Sequence, residues 1–311
     1  MRIRATMAAA TVTGSLALAA FAVPAAQATD QPSLAQAHQV AQKAAGHSAP
    51  QARSLTATEA GDPYVMDATF SNIKVNSGKS AIVVGTTNTV HVSYSFTFTH
   101  GSDVDPTADD FVPGVDLYRT DTDEGNALFG DAPATCTAAS STVANCNGSI
   151  DINPQEELTN VDAGAKWTGE AFAVAYNGQD PDSPSDPSKI GTAYQDAVSS
   201  NALQRYSKLT VNASPEPVKK GGTLTITGAL TRANWDTHKY AGYTSQSVKL
   251  QFRKTSSSAY PTTYLKSVTS SSTGSLKTTS TATYDGYWRY NFLGTSTTPA
   301  VKATGDFVDV Q

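Results

Sequence analysis

Two cysteines and five histidines are all that the 311 residues contain, and charged side chains make up only 16 % of them. That scarcity removes zinc sites of the locally spaced kind. Cys136 and Cys146 have no His or further Cys nearby, His91, His100 and His238 stand alone, and His38 and His47 fall in an Ala/Gln-rich stretch near the N-terminus. The C-x-x-C spacing that activates a redox thiol is missing too. No G-x-S-x-G turn exposes a serine nucleophile, and no Ser or Cys motif accompanies a histidine as a triad would require. The Gly78-Lys79-Ser80 triplet lacks the first glycine of a phosphate loop, because position 73 is Ile. Beyond Met7–Val23 no apolar run approaches the roughly 20 residues of a membrane helix. The basic residues are scattered and the net charge is −5, which excludes a nucleic-acid footprint.

What is present begins with an export signal. Arg2 and Arg4 precede the apolar run, and Ala26-Gln27-Ala28 forms an A-x-A cleavage site. Residues 1–28 therefore read as a secretory signal peptide cleaved after Ala28, and the mature chain is expected to be secreted without a membrane span. No lipid-accepting Cys follows the small residues, and the end, GDFVDVQ, carries no apolar tail, so an extracellular, released product is expected. In that oxidising compartment Cys136 and Cys146, separated by nine residues, predict a short disulfide loop. Such a loop contributes about 2–3 kcal/mol by restricting the unfolded chain.

Residues 29–62 are poor in large apolar groups and read as a flexible leader or marginal helix, with Ser33 as the N-cap and only Leu34, Val40 and scattered Ala to bury. From Pro63 the pattern changes to period two, with segments separated by Gly, Pro, Asn and Asp. In HVSYSFTF, Val92, Tyr94, Phe96 and Phe98 share one face; in SVKLQFRK, Val248, Leu250 and Phe252 alternate with Lys249, Gln251 and Arg253. These patterns predict an all-β chain of two tandem immunoglobulin-like β-sandwich domains, over 63–206 and 207–311. Charge sharpens the division. Residues 63–206 hold 19 Asp/Glu against 6 Lys/Arg, and residues 207–311 hold 5 against 12. The two units could attract one another, or the basic one could face an anionic polymer.

The second unit, with ASPEPVKKGGTLTITGAL, VKLQFR and DGYWRYNFLG before GDFVDV, resembles the immunoglobulin-like domains of uncharacterised secreted proteins of filamentous actinobacteria, and the leader MRIRATMAAA…AVPAAQA is similar to theirs. The resemblance covers the signal and the last third of the chain. It implies export and a β-sandwich, and no reaction, substrate or catalytic residue.

Three functional readings follow. The leading one is a non-enzymatic binding or structural protein of the extracellular space or cell wall, contacting an anionic cell-wall polymer or an extracellular protein through Lys249, Arg253, Lys254, Tyr287 and Arg289. Within TYDGYWRYNFLG, Trp288, Tyr290 and Phe292 alternate with Tyr287, Arg289 and Asn291, so the first three are assigned to the core and Tyr287 with Arg289 to the contact surface. The second is an adhesive module stabilised by calcium, with Asp103, Asp105, Asp109 and Asp110 in one loop and Asp121, Asp123, Glu124 and Asp131 in another as oxygen ligands. Those spacings depart from the EF-hand pattern, because Gly125 stands where the third ligand belongs, and Asp-rich loops also serve as plain turns. The third is a secreted hydrolase or hydrolase inhibitor; no catalytic residue is assigned to it.

Overall fold

The structure is a computed structural model that describes residues 33–46, 61–119 and 126–311. The signal peptide lies outside the described residues. Residues 33–46, part of the stretch read as a leader, contain a helix, α1 (Leu34–Ala44). Ser33 caps it by accepting from the Gln36 amide at 3.2 Å, and Ala/Gln/Lys-rich turns favour the helical state. Eleven residues are marginal in isolation. Packing decides its state: Leu34, Ala37, His38 and Ala41, spaced i, i+3, i+4, i+7, are all buried.

The first domain is built from β1 (Tyr64–Val65), β2 (Ala68–Val75), β3 (Ala81–Val84), β4 (Val90–His100), β5 (Phe111–Arg119), β6 (Asn126–Leu128), β7 (Thr135–Ser140), β8 (Val143–Ile152), β9 (Lys166–Ala175) and β10 (Gly191–Arg205). One sheet runs β1-β10-β9-β5-β6, with β3 also on β10; the other runs β2-β4-β8-β7. Val92, Tyr94, Phe96 and Phe98 point into the space between them, where Trp167, Ala171, Ile150 and Leu203 complete one core. Cys136 and Cys146 pair directly across β7 and β8 and form the disulfide.

Helix α1 makes this unit more than a two-layer sandwich. It covers the outer face of β5, β9 and β10, where Val112, Phe172, Val174, Tyr176 and Ile190 form a second apolar cluster with Leu34, Ala37 and Ala41. Gly114 on β5 permits the close approach. A Cβ there would stand 2.9 Å from Leu34 and 2.6 Å from the Phe172 ring.

The second domain comprises β11 (Ser207–Leu209), β12 (Asn212–Ser214), β13 (Thr223–Asn234), β14 (Lys239–Gly242), β15 (Ser247–Lys254), β16 (Lys266–Thr269), β17 (Ser275–Thr281), β18 (Gly286–Phe292), β19 (Val301–Lys302) and β20 (Asp306–Val308). Strand β13 pairs with β11, β12, β14 and β17 in one sheet, and β15 pairs with β16 and β18 in the other. Trp288, Tyr290 and Phe292 lie in the core between them with Leu224, Ile226, Val248 and Leu250. Tyr290 keeps its hydroxyl satisfied by donating to the Ile226 carbonyl at 2.9 Å. The chain is thus all-β, two tandem immunoglobulin-like sandwiches.

The domains are joined tightly, with Tyr206 alone between β10 and β11. Ala233 and Trp235, from the end of β13 and its turn, are fully buried within the first domain's core cluster. The Trp235 indole donates to the Gly85 carbonyl at 2.8 Å, and Arg205 donates to the Ala233 carbonyl at 2.5 Å. Among the described residues no ion pair crosses between the oppositely charged domains. A shared aromatic core holds the junction. Trp235→Ala is expected to cost about 3–5 kcal/mol by leaving a cavity there, read as an earlier urea transition of the first domain although the residue belongs to the second.

Candidate functional site

Strands β5 and β9 are neighbours in antiparallel register, and Asp116 stands directly opposite Glu170. Both point toward α1. Both are fully buried, and the imidazole of His38 on α1 closes over them, itself only 6 % exposed. His38 Nε2 contacts Glu170 Oε1 and lies 3.4 Å from Asp116 Oδ2. The other oxygen of Glu170, Oε2, accepts from the Tyr194 hydroxyl on β10. Beside it Tyr118 donates to Asp196 at 2.6 Å. The rings of Phe129 and Phe172 flank His38 at centroid distances of 5.3 and 5.4 Å.

This arrangement is electrostatically demanding. Among the described residues no side chain or backbone donor satisfies either carboxylate oxygen of Asp116 in hydrogen-bond geometry. Burial, and then the adjacent Glu170, push the Asp116 carboxyl well above the usual carboxylate range. The Tyr194 hydroxyl is pushed up as well, first by burial and then by its bond to Glu170. Among the described residues His38, Asp116 and Glu170 form a group whose potential ligand atoms all lie within 4.8 Å of one another. What the group can do chemically is hold a proton between carboxyls or bind a cation; its apolar roof gives no route for a substrate.

Local spacing could not have revealed this group, because His38 and Glu170 lie 132 residues apart. A signal existed nonetheless. Asp116 interrupts the run VPGVDLY, and Glu170 directly precedes the consecutive apolar run AFAVAY, the mark of a strand buried on both faces.

The acidic loops are placed differently. Asp105 accepts from the amide and hydroxyl of Thr107 at 2.9 and 2.6 Å, and Asp110 accepts from the Gly178 amide at 2.7 Å. Asp103, Asp109 and Asp131 are exposed. Asp121, Asp123 and Glu124 lie outside the described residues. A hollow of about 240 Å³ adjoins the first loop, lined by Pro106, Thr107, Asp109, Phe111 and Thr135. It is smaller than the 300–1,000 Å³ typical of ligand pockets and carries one carboxylate.

The predicted contact face is assembled on β15 and β18, where Arg253 pairs with Tyr287 and Gln251 with Arg289. Arg253 lies over the Tyr287 ring at 3.9 Å, Arg289 over Tyr260 at 3.7 Å and Lys254 over Tyr284 at 3.8 Å, while Lys249 is 6.0 Å from Tyr264. The strict in/out alternation fails at two positions: Gln251 and Asn291, expected to point outward, are buried. The segment after β15 folds back over the strand, and Gln251 donates to the Pro261 carbonyl at 2.7 Å while accepting from Arg289 at 2.9 Å. Arg253, Arg289 and Tyr287 are consequently half-buried.

No protein-family model matches the chain, and no curated protein matches it. Among solved structures it is similar to the mouse nectin-like molecule 4 ectodomain, with 13 % identity over 76 % of this chain and 63 % of that one, at a TM-score of 0.22. It is also similar to a titin A168-A169 fragment, with 10 % identity over 78 % and 98 % and a TM-score of 0.23. A third similarity is to the T6 backbone pilin of Streptococcus pyogenes, with 11 % identity over 77 % and 52 % and a TM-score of 0.23. The chain thus spans less than two thirds of the nectin-like ectodomain. Overlaps this loose carry no argument, and the fold rests on the strand pairings above.

The Asp116 carboxyl yields a prediction with a definite sign. Its folded form holds a proton more tightly than the unfolded form, whose ordinary value is 3.8. The associated stability is therefore present below about pH 4 and is lost as pH rises through the elevated folded value. In chelator-containing buffer, Asp116→Asn should melt several degrees above the native chain at pH 7 and show a flatter dependence between pH 4 and 7. Equal melting curves across that range would contradict it.

Proposed function

We propose that the protein is an exported, non-enzymatic binding module whose second domain engages an anionic polymer of the cell wall. One observation carries the reading: Lys249, Arg253 and Arg289 gather on the outer side of β15 and β18, with Lys254 at the end of β15 beside Tyr284, each near a tyrosine ring, and among the described residues none has a carboxylate within ion-pair distance. Tyrosine faces hold cations in position by their quadrupole without cancelling their charge. The fork of Arg253 and Arg289 remains suited to phosphate or carboxylate groups. The acidic first domain, joined rigidly to it, would limit how an anionic polymer can approach, favouring contact at the far face of the second sandwich.

The reading is tested by sedimenting the mature protein with purified Gram-positive cell walls across a salt series. Retention at low salt that falls steeply by about 0.5 M is expected, since screening shortens the reach of exposed charge to a few ångströms. The Arg253→Gln/Arg289→Gln double variant should lose retention at least about tenfold, as expected for losing about 1.4 kcal/mol or more, and Tyr287→Ala should weaken it without unfolding the domain. Salt-independent retention, or undiminished retention of the double variant, would exclude the proposal.

A further inference from the structure

We propose that His38 Nε2, Asp116 and Glu170 bind a divalent first-row transition ion of the zinc class, which fastens α1 to the outer face of the first domain. Charge is the first argument. Two carboxylates at directly opposed positions, both fully buried, would repel each other in a low-dielectric layer, and among the described residues no Lys or Arg is paired with either. A dication with two carboxylates and a neutral imidazole makes a group of zero net charge. The second argument is that at zero exposure the two oxygens of Asp116 meet, among the described residues, no donor other than a proton shared with Glu170.

Geometry agrees with that composition. Ligand atoms about 2.0–2.1 Å from a tetrahedral ion stand about 3.4 Å apart, and His38 Nε2 to Asp116 Oδ2 is 3.4 Å; His38 Nε2 and Glu170 Oε1 are in closer, hydrogen-bonding contact and would have to part for both to ligate the ion. One imidazole nitrogen with carboxylate oxygens suits zinc and its neighbours. Calcium wants six to eight oxygens, more than this apolar enclosure supplies. The surroundings are those of a ligand set held in place: Tyr194 donates to the far oxygen of Glu170, and Phe129 and Phe172 bracket the imidazole. Three protein ligands leave a fourth position, but the apolar enclosure offers no route for a substrate, so the ion would have a structural role.

The test uses the full mature chain, stripped with EDTA, dialysed and titrated with Zn²⁺, Mn²⁺ and Ca²⁺ by calorimetry and thermal melting. One Zn²⁺ per chain is expected. Saturation at about a hundredfold above Kd should raise the melting midpoint by about 5–10 °C. Asp116→Asn and His38→Gln should each abolish both signals. Asp116→Asn is the decisive variant, because it removes one ligand with almost no change of shape, and its own metal-free melt, recorded beside the titration, separates a lost response from unfolding. No Zn²⁺ binding, a response to Ca²⁺ alone, or Zn²⁺ binding that survives in both variants would overturn the proposal. In the first of those outcomes the buried pair is held by protons only.

Discussion

Asp116 and Glu170 face each other across β5 and β9 in a layer that water does not reach, and much of the first domain is arranged around that constraint. A carboxylate pair cannot be left bare in such a layer, so something must neutralise it or supply donors. The imidazole of His38 and the hydroxyl of Tyr194 are brought there, one by a helix and one by the neighbouring strand. Helix α1, too short to persist alone, is thereby tied to the sheet by a polar contact inside an apolar seam of Leu34, Ala37, Ala41, Phe172 and Val174.

The second domain shows the opposite economy of charge. Its core is apolar and aromatic, and Arg253 and Arg289 lie half-buried over tyrosine faces instead of entering ion pairs. The two halves meet through the buried Trp235 and through side-chain hydrogen bonds of Arg205, Asn160 and Asp236, and among the described residues no ion pair between their opposite charges crosses the junction. The buried junction leaves net negative and net positive charge on separate halves of the molecule.

Period-two stretches such as HVSYSFTF and SVKLQFRK made the sandwiches legible, because residues alternating about a strand must divide between core and solvent. The same rule placed Trp288, Tyr290 and Phe292 inside and Tyr287 with Arg289 toward the surface. It failed at Gln251, since alternation says which face a side chain takes and nothing about a loop that later covers that face, and at Asn291, which is buried between its neighbours on β15 and β19. The candidate site was hidden for a related reason. Its three members come from a helix and two strands that only folding brings together, and each alone is an ordinary residue.

By itself the sequence determined the all-β class, the two-domain division, the disulfide between Cys136 and Cys146 and the parity of the main strands, since all of these follow from local periodicity and short-range spacing. Tertiary structure alone decided that the helix of residues 34–44 docks, that it is this helix which covers the outer face of β5 and β9, and that His38 meets Asp116 and Glu170. Those outcomes depend on which surface lies over which, a long-range matter that no local pattern encodes.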